Sequence, residues 1–390
     1  MTPSVDTPNE LRRLKLLLVI DEMEVGGTQR QIVNMVHGLD HRRFVVTLLY
    51  FRHRSHLADE VERSGVFVRC IGRRHRFDVR FVLEIRTFLQ REQFEVMHCF
   101  SYSGEFWAAL ARRLLPRSQR PALITSIRGT YEWYSTWQWS VKRWLTRQSI
   151  AVVANSRSGA EFAAAKMRIQ PAALRVIYNS VEQPLVDSHA VVALRSALAG
   201  PDRPLVVFVG RLVDHKDLPT LLRAASRLSA ITPRPMIVLA GDGPLRGELD
   251  RSIGERGLSE FVVLLGERAD AATLIAAGDM LVLPSLREGL SNVILEAMIA
   301  GKPVIASRAG GNVELIDHGI DGVLFDIGDD AALADAIKQL TREPDLRNRF
   351  GRAAQVKAAR DFGITAMIDA LTDCYHIACR GPARRGRVPI

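Results

Sequence analysis

The chain of 390 residues is too long for one ordinary hydrophobic core, so its length indicates two α/β domains. Hydrophobic residues make up 47% of it and charged residues 25%, as in a soluble globular protein, and no apolar run approaches the roughly 18 residues of a membrane span. The net charge is +10, yet residues 1–182 carry 28 Lys and Arg against 17 Asp and Glu while residues 183–390 carry 25 against 26.

The first half of the chain is therefore the basic half. A basic surface attracts anionic membranes, nucleic acid or acidic substrates, and it says nothing about the fold. The four cysteines match no zinc or redox spacing, and we expect them to be buried and reduced. With no membrane span, we expect a cytoplasmic protein.

The first predicted element is a buried strand at residues 14–20. Gly26 and Gly27 follow it and open a helix that extends to residue 39. A strand, a Gly-Gly pair and a helix N-terminus together allow a phosphate to approach the backbone closely. A simple turn is an equally good interpretation of the pair.

Further strands are predicted at residues 44–50, 66–71, 94–98, 122–127 and 150–154, as in a doubly wound sheet. His98 ends one of them and Arg128 follows another. A single histidine at a strand end is more often a structural residue than a ligand.

An aromatic segment, residues 131–145, holds four of the five tryptophans, with Lys142, Arg143 and Arg147 nearby. The spacing of Trp133, Trp137 and Trp144 predicts one helical face that could lie on an anionic membrane. The alternative is a rim helix that buries these rings against its own domain.

Residues 183–204 are rich in Pro and Gly and predict the boundary between two domains. A strand at residues 205–209 then leads into Gly210, Arg211 and Lys216. Both side chains would converge on an anion at the strand's carboxyl end, although such a pair is also common on a solvated surface. Two later strands are followed by Gly241 and by Arg268.

The most informative stretch is residues 280–311, in which a strand, a connection and an apolar helix follow one another. Glu288 precedes the helix, Ser291 or Asn292 would cap it, and Glu296 is a carboxylate in its apolar interior. We expect the two glutamates to contact two ends of an elongated ligand at the strand's carboxyl end. The alternative is an ordinary buried unit in which Glu296 bonds neighbouring backbone.

Residues 284–306 read P-S-x-x-E-G-L-S-N-V-I-L-E-A-M-x-A-G-x-P-V-I-A, which resembles the donor-site motif of the retaining, GT-B-fold glycosyltransferases of family four. Residues 210–216 resemble the same family's G-R-L-x-x-x-K pattern, and residues 26–30 its G-G-T/A-E-R segment. The chain departs from the family at Gln29, Ser180 and Asp217. It also lacks the histidine that many members carry near Ile127 and Arg128.

The resemblance implies a GT-B fold with two Rossmann-like domains facing a cleft: an acceptor domain at residues 1–182 and a nucleotide-sugar domain at residues 183–362. A helix at residues 363–380 would cross back to the first domain, and residues 381–390 form a basic tail. No Asp-x-Asp sequence is present, so neither a metal nor a cofactor is expected.

The same resemblance assigns roles to particular residues. Glu288, Arg211 and Lys216 are the expected catalytic residues, and Glu296 is expected to hold the ribose hydroxyls. Further donor contacts are expected from Gly210, Gly241, Arg268, Gly289, Leu290, Ser291 and Asn292. An acceptor or phosphate loop would involve Gly26, Gly27, His98 and Arg128.

The predicted reaction is transfer of a sugar, from a UDP-sugar rather than a GDP-sugar, to a saccharide or lipid-linked acceptor in cell-surface polysaccharide or glycolipid synthesis. Peripheral binding to the inner face of the cytoplasmic membrane would fit such an acceptor, and no nucleic-acid partner is expected. One alternative is a sugar-nucleotide epimerase or phosphorylase on the same fold. Another is a basic membrane or nucleic-acid binding protein whose donor site has decayed.

Overall fold

The computed structural model describes residues 12–75, 78–200 and 202–380. The first and last stretches of the sequence, including the predicted basic tail at residues 381–390, lie outside the described residues. Strands and helices alternate through the described chain. Those of the first domain are β1 Leu14–Val19, β2 Glu22–Met23, α1 Gly27–Gly38, β3 Phe44–Tyr50, β4 Arg52–Arg54, α2 His56–Arg63, β5 Phe67–Cys70, α3 Val79–Glu92, β6 Val96–Cys99, α4 Tyr102–Arg113, β7 Ala122–Ile127, α5 Thr136–Gln148, β8 Ala151–Ala154, α6 Arg157–Met167 and β9 Arg175–Val176.

The first sheet is parallel and has the strand order β5-β3-β1-β6-β7-β8-β9. Its central strand β1 reads LKLLLV and is almost wholly buried, because helices cover both faces of a parallel sheet. The order reverses between β1 and β6. Open α/β sheets bind ligands at such a switch point, beyond the carboxyl ends of the two strands.

The second domain repeats this plan. Its elements are α7 Ser188–Leu198, β10 Leu205–Val209, α8 Leu218–Arg227, β11 Met236–Ala240, α9 Arg246–Glu255, β12 Val262–Gly266, α10 Ala271–Ala277, β13 Met280–Leu283, α11 Asn292–Ile299, β14 Val304–Ser307, α12 Asn312–Leu315, β15 Gly322–Phe325, α13 Asp330–Arg342, α14 Pro344–Asp361 and α15 Ile364–Cys379. The parallel strand order is β12-β11-β10-β13-β14-β15, so the switch point lies between β10 and β13.

The chain crosses from one domain to the other twice, and the two crossings lie side by side. Val181 forms an isolated bridge with Gly363, and its N–H donates to the carbonyl of Phe362 at 2.8 Å. After this crossing, α15 packs on the first domain, where Met367, Leu371 and Tyr375 join the hydrophobic core. The last helix therefore belongs structurally to the first domain.

Most predicted strands are present within a residue or two of the expected bounds, and the short sheet β2-β4 and the helices α2, α4 and α6 are among the additions. All four cysteines are free, but Cys70 and Cys379 are exposed, so the expectation that all are buried is wrong for these two. Among the described residues, no helix combines the length and the apolarity needed to cross a membrane.

Candidate active site

The loop that joins β13 to α11, residues 284–291, is called here the glutamate loop. Glu288 is largely buried in it, and its Oε1 accepts hydrogen bonds from the Lys216 ammonium at 2.6 Å and the Ser285 hydroxyl at 2.7 Å. Lys216 comes from the turn after β10. The predicted pair meets because β10 and β13 are neighbours at the switch point of the second sheet.

The loops after β10 and β11 pack backbone against backbone. Gly241 has φ 140°, and a Cβ added there would lie 1.9 Å from the carbonyl oxygen of Gly210, so only glycine fits. Gly210 in turn lies beside the Lys216 side chain. Arg211 points from this turn into solvent and forms no ion pair or hydrogen bond through its side chain among the described residues. The turn therefore presents one free guanidinium beside the Lys216–Glu288 pair.

His215 is a site residue that the sequence reasoning missed. Its carbonyl accepts the N–H of Leu286 at 2.8 Å and so ties the turn after β10 to the glutamate loop. Burial, assisted by the charge of Lys216, lowers the pKa of His215 below its usual value, so the ring is neutral at pH 7. The position of His215 inside the G-R-L-x-x-x-K segment is the sequence signal that could have identified it.

Glu296 lies four residues after Asn292 on the same face of α11, and it is half-buried. No hydrogen bond or ion pair to the carboxylate exists within the described residues, so the alternative in which it bonds neighbouring backbone is wrong. Burial raises the pKa of Glu296 to about 7, and the charge of Arg30 on α1 acts in the opposite direction. The site thus holds a carboxylate that lacks a partner.

Asn292 joins the two domains instead of capping α11. Ser291 occupies the N-cap position without a side-chain cap bond. The Asn292 amide donates to the carbonyl of Gly27 at 2.9 Å, and its oxygen accepts from Asn179 at 2.7 Å and Gln31 at 3.4 Å. Of the two residues predicted to cap α11, Ser291 therefore holds the N-cap position, and Asn292 finds its partners across the cleft.

Gly289 is in contact with the first domain. A Cβ added to it would lie 2.6 Å from the carbonyl oxygen of Arg128. The adjacent Leu290 is buried, and its carbonyl accepts a hydrogen bond from the first domain. On the other side, added Cβ atoms at Gly310 and Gly311 would lie 2.0 Å from carbonyl oxygens of the glutamate loop. These two glycines support the loop from behind.

His98 is a buried structural residue. Its Nδ1 lies 2.9 Å from the Tyr375 hydroxyl, and its Nε2 lies 2.9 Å from the Ser126 hydroxyl. Burial lowers the pKa of His98 to about 3, with the charge of Arg128 adding to the effect. The neutral ring therefore ties α15 to the first sheet, which favours the structural interpretation over a role in an acceptor or phosphate loop.

Gly26 and Arg268 are two other residues that were predicted to contact a ligand. Gly26 is the N-cap of α1, in extended backbone, and a Cβ there would lie 2.6 Å from the Gln29 side-chain oxygen. The Arg268 guanidinium forms a two-point ion pair with Asp270, at 2.8 and 2.6 Å. Arg268 is therefore already paired, although its backbone follows β12 as expected.

The aromatic segment is not one amphipathic helix. Helix α5 begins at Thr136, so Trp133 precedes it, and Trp144 packs on the core of the first domain. Trp133 and Trp137 are exposed, by 65% and 61%. Arg287 of the glutamate loop lies 5.9 Å from the Trp133 ring. The predicted face is therefore reduced to two exposed rings, of which Trp133 borders the glutamate loop.

Lys142 is not a surface cation, which corrects its predicted place on a membrane-facing helix. It is buried, and its ammonium donates to Glu105 Oε1 at 2.6 Å, to Glu105 Oε2, and to the carbonyl of Ser126 at 2.8 Å. The N–H of Ser126 also donates to Glu105, at 2.9 Å. This buried pair fixes β7 two residues before Arg128.

Comparison with known proteins gives the following matches. Residues 25–183 match the family described as Glycosyltransferase Family 4, and residues 194–357 match Glycosyl transferases group 1. The lipopolysaccharide core biosynthesis glycosyltransferase LpsD of Rhizobium meliloti (strain 1021) is 30% identical over 363 residues, which cover 92% of this chain and 97% of that protein. The UDP-Gal:alpha-D-GlcNAc-diphosphoundecaprenol alpha-1,3-galactosyltransferase of Escherichia coli is 26% identical over 368 residues, or 90% and 94% of the two chains.

Among solved structures, the chain is similar to Anabaena Alr3699/HepE in complex with UDP and glucose. The TM-score is 0.84 at 22% identity, and the match covers 94% of this chain and all of that one. This likeness concerns the fold, and it confirms the predicted GT-B architecture of two parallel-sheet domains with a returning C-terminal helix.

Proposed function

Because this chain belongs to the group 1 glycosyltransferases of family four, we propose that it transfers a sugar from a nucleotide-diphospho-sugar to a saccharide or lipid-linked acceptor, with retention of anomeric configuration. The observation that carries the proposal is Glu296, a half-buried carboxylate with no partner within the described residues, on the helix that follows the glutamate loop. A buried carboxylate is stable when donors reach it, and a pair of ribose hydroxyls would supply two.

In this proposal, cations stabilise the leaving group. As the bond between the sugar and the diphosphate breaks, negative charge develops on the diphosphate oxygens. Arg211 and Lys216 lie at the carboxyl end of β10, where they can neutralise that charge. Arg211 has no competing ion pair among the residues described, and Lys216 is held in place by Glu288 at 2.6 Å.

The glutamate loop would orient the sugar. Glu288 Oε1 is occupied by Lys216 and Ser285, whereas Oε2 has no partner in the described part of the chain. That oxygen can accept a sugar hydroxyl, and backbone N–H groups from Gly289 to Asn292 lead into α11 and can donate to the ligand. Holding the sugar between domains in this way would fix the face that the acceptor attacks.

We propose that the reaction needs no metal. The sequence has no Asp-x-Asp pair, and cationic side chains occupy the place beside the expected diphosphate. Among the described residues, the three side chains close enough to share an ion are Glu22, Glu24 and His53, none of which belongs to the proposed donor site. Full activity in excess EDTA is the expected result, and loss of activity that Mg²⁺ restores would contradict it.

The test of the main proposal is a panel of nucleotides and nucleotide sugars in a thermal-shift assay, followed by product analysis. Binding to the native state raises the melting temperature by mass action, and we expect uridine diphosphate and a UDP-sugar to do so more than the guanosine compounds. Release of free nucleoside diphosphate only in the presence of an acceptor identifies a transferase. Failure of every nucleotide to stabilise the protein would overturn the proposal.

We further propose that the first domain docks on an anionic membrane, where a lipid-linked acceptor would be found. Support comes from the basic charge of residues 1–182 and from the exposed rings of Trp133 and Trp137, with Arg147 exposed on the same helix as Trp137. Near an anionic surface each Lys or Arg contributes about 1 kcal/mol within a Debye length of roughly 8 Å. Inserted tryptophan rings would add binding that salt does not screen.

Vesicle co-sedimentation tests this docking. The parent should bind anionic but not neutral vesicles, and the double variant Trp133→Ser/Trp137→Ser should bind several-fold more weakly. The matched control is Phe67→Ser, which removes another exposed aromatic ring of the first domain, 57% exposed on β5. A parent protein that remains in the supernatant with anionic vesicles at low salt would rule docking out.

A further inference from the structure

A cavity of 380 Å³ lies in the first domain at the switch point of its sheet. Its lining comes entirely from that domain, including the residues after β1 and β6, the start of α1, and Arg128, Tyr131 and Tyr134. The backbone of Arg128 touches Gly289 of the glutamate loop. The cavity therefore opens beside the place where the transferred sugar would be held, and neither Arg211 nor Lys216 lines it.

The Arg128 side chain is a charge without a counter-charge. Its Nε is buried with no hydrogen-bond acceptor, and no ion pair to its guanidinium exists within residues 12–75, 78–200 and 202–380. Asp21 also lines the cavity, but its carboxylate pairs with Arg52 at 3.5 Å. His98 is neutral, with both ring nitrogens occupied. No neighbouring side chain therefore neutralises Arg128.

Leaving this guanidinium unpaired is costly. Burial lowers the pKa of Arg128 to about 10, so the group remains charged at neutral pH. The Phe100 ring, 5.8 Å away, offers a weak cation–π contact. Such a contact does not offset the free energy needed to remove an ion from water. The charge is compensated only if a ligand brings an anion into the cavity.

We propose that Arg128 binds a phosphate group carried by the acceptor, so that the acceptor of this enzyme is a phosphorylated or diphosphate-linked saccharide. The inference rests on the proposed function and specifies its acceptor. A guanidinium forms two parallel hydrogen bonds to phosphate oxygens, which fixes orientation as well as charge. The diphosphate of the donor already has Arg211 and Lys216 in the other domain, so the second cationic site serves the second substrate.

The aromatic wall suits the sugar that would follow this phosphate. Tyr131 and Tyr134 are stacked, with ring centroids 4.7 Å apart and planes within 4° of parallel, and the Tyr102 ring meets Tyr134 edge to face at 5.2 Å. The Tyr102 hydroxyl is buried, and no described residue forms a hydrogen bond with it. A flat apolar face with one free hydroxyl can hold the apolar side of a pyranose ring and bond one of its hydroxyls.

The experiment compares two probes on the UDP-saturated protein: a hexose 1-phosphate and the corresponding neutral methyl hexoside, titrated by calorimetry. Because UDP fills the donor site, a difference in affinity between the two probes then reports on phosphate binding in the cavity. We expect the hexose 1-phosphate to bind at least tenfold more tightly than the methyl hexoside. Arg128→Gln should abolish that preference without changing UDP affinity, and Arg128→Lys should keep part of it.

The control is Arg147→Gln, which removes one exposed positive charge from the same domain and should leave the preference unchanged. Persistence of the preference in Arg128→Gln, or displacement of UDP by the hexose 1-phosphate, would overturn the acceptor site. A parent protein that does not bind UDP would count against the proposed function itself. Thermal melting of each variant shows whether it is folded, and Arg128→Lys provides the comparison if Arg128→Gln is not.

Discussion

Replacing Glu296 with glutamine should weaken nucleotide binding while leaving the fold intact. The carboxylate accepts no hydrogen bond from any described residue, so its removal breaks no contact within the protein. Glutamine keeps the length of the side chain and one acceptor oxygen but has no charge. The change therefore isolates what the negative charge contributes to holding the ribose hydroxyls.

The size of the effect follows from the strength of hydrogen bonds to a charged group. Such bonds contribute about 1.5–3 kcal/mol, which corresponds to a loss of roughly 10- to 150-fold in nucleotide affinity. The lower end would describe a carboxylate that binds one hydroxyl in a solvated setting. The upper end would describe one that binds both hydroxyls in a closed cleft.

The same group predicts a dependence on pH. Burial raises the pKa of Glu296 from 4.5 to about 7, so about a tenth of the molecules carry the carboxylate at pH 6 and about nine-tenths at pH 8. Since the ionised form accepts both hydroxyls, UDP affinity should rise about tenfold across this range. In Glu296→Gln only the titration of the nucleotide's own phosphate, with a pKa of about 6, should remain.

Stability should change in the opposite direction. The folded protein binds a proton at Glu296 more tightly than the unfolded chain does, so between pH 4.5 and 7 the folded state holds more protons. The free energy of unfolding of the parent should therefore fall, relative to Glu296→Gln, as pH rises from about 4.5 to about 7, and the difference should then stay constant.

The measurement is calorimetric titration of UDP at pH 6, 7 and 8, with thermal melting of both proteins from about pH 4.5 to about 8. Equal UDP affinity in parent and variant at pH 8 would refute the role of Glu296 in binding. Parallel pH curves in the two proteins would refute the role of its ionisation. Either result would indicate that Glu296 has only a structural role.

Three other predictions concern the neighbouring structure. Arg211→Gln should lower turnover by about a hundredfold or more at an unchanged melting temperature, in a steady-state assay with excess EDTA; near-normal turnover would mark Arg211 as a surface charge. Gly289→Ala should lower kcat/KM at least tenfold, because its Cβ would lie 2.6 Å from the Arg128 carbonyl oxygen and hold the domains apart, and unchanged kinetics would show that the cleft is not closed there. Lys142→Met should cost about 3–5 kcal/mol in denaturant unfolding because it strands the buried Glu105 carboxylate, whereas a small effect would mean that Glu105 is neutral in the folded parent.

Much of the fold could be predicted from the sequence, because its signals are local. Apolar runs such as LKLLLV at residues 14–19 specify strands that are buried on both faces, and the alternation of strands with helices specifies parallel sheets. The spacing of Glu288 and Glu296 around the start of α11 was equally readable. These properties depend on residues close together in the chain, so composition and periodicity contain them.

The tertiary structure decided which of the candidate side chains are free to act. Lys142 and Trp144 have the sequence pattern of a membrane-facing helix. In the structure, however, Lys142 pairs with the buried Glu105, and Trp144 packs on the core of the first domain. Asn292, one of the two residues expected to cap α11, instead bonds Gly27 and Asn179 of the other domain. Glu105 is 37 residues from Lys142, and Gly27 and Asn179 are 265 and 113 residues from Asn292, beyond the reach of any local pattern.

Tertiary contacts also give the cationic side chains of the site different surroundings. In the sequence these residues look alike, because Arg211, Lys216 and Arg128 are all basic and each follows a predicted strand. In the folded chain Lys216 pairs with Glu288, and Arg211 faces solvent. Arg128 lies against a cavity, where no described residue accepts a hydrogen bond from its Nε. Whether a charge is neutralised depends on what the fold brings within about 4 Å of it, and only the packing of two domains determines that.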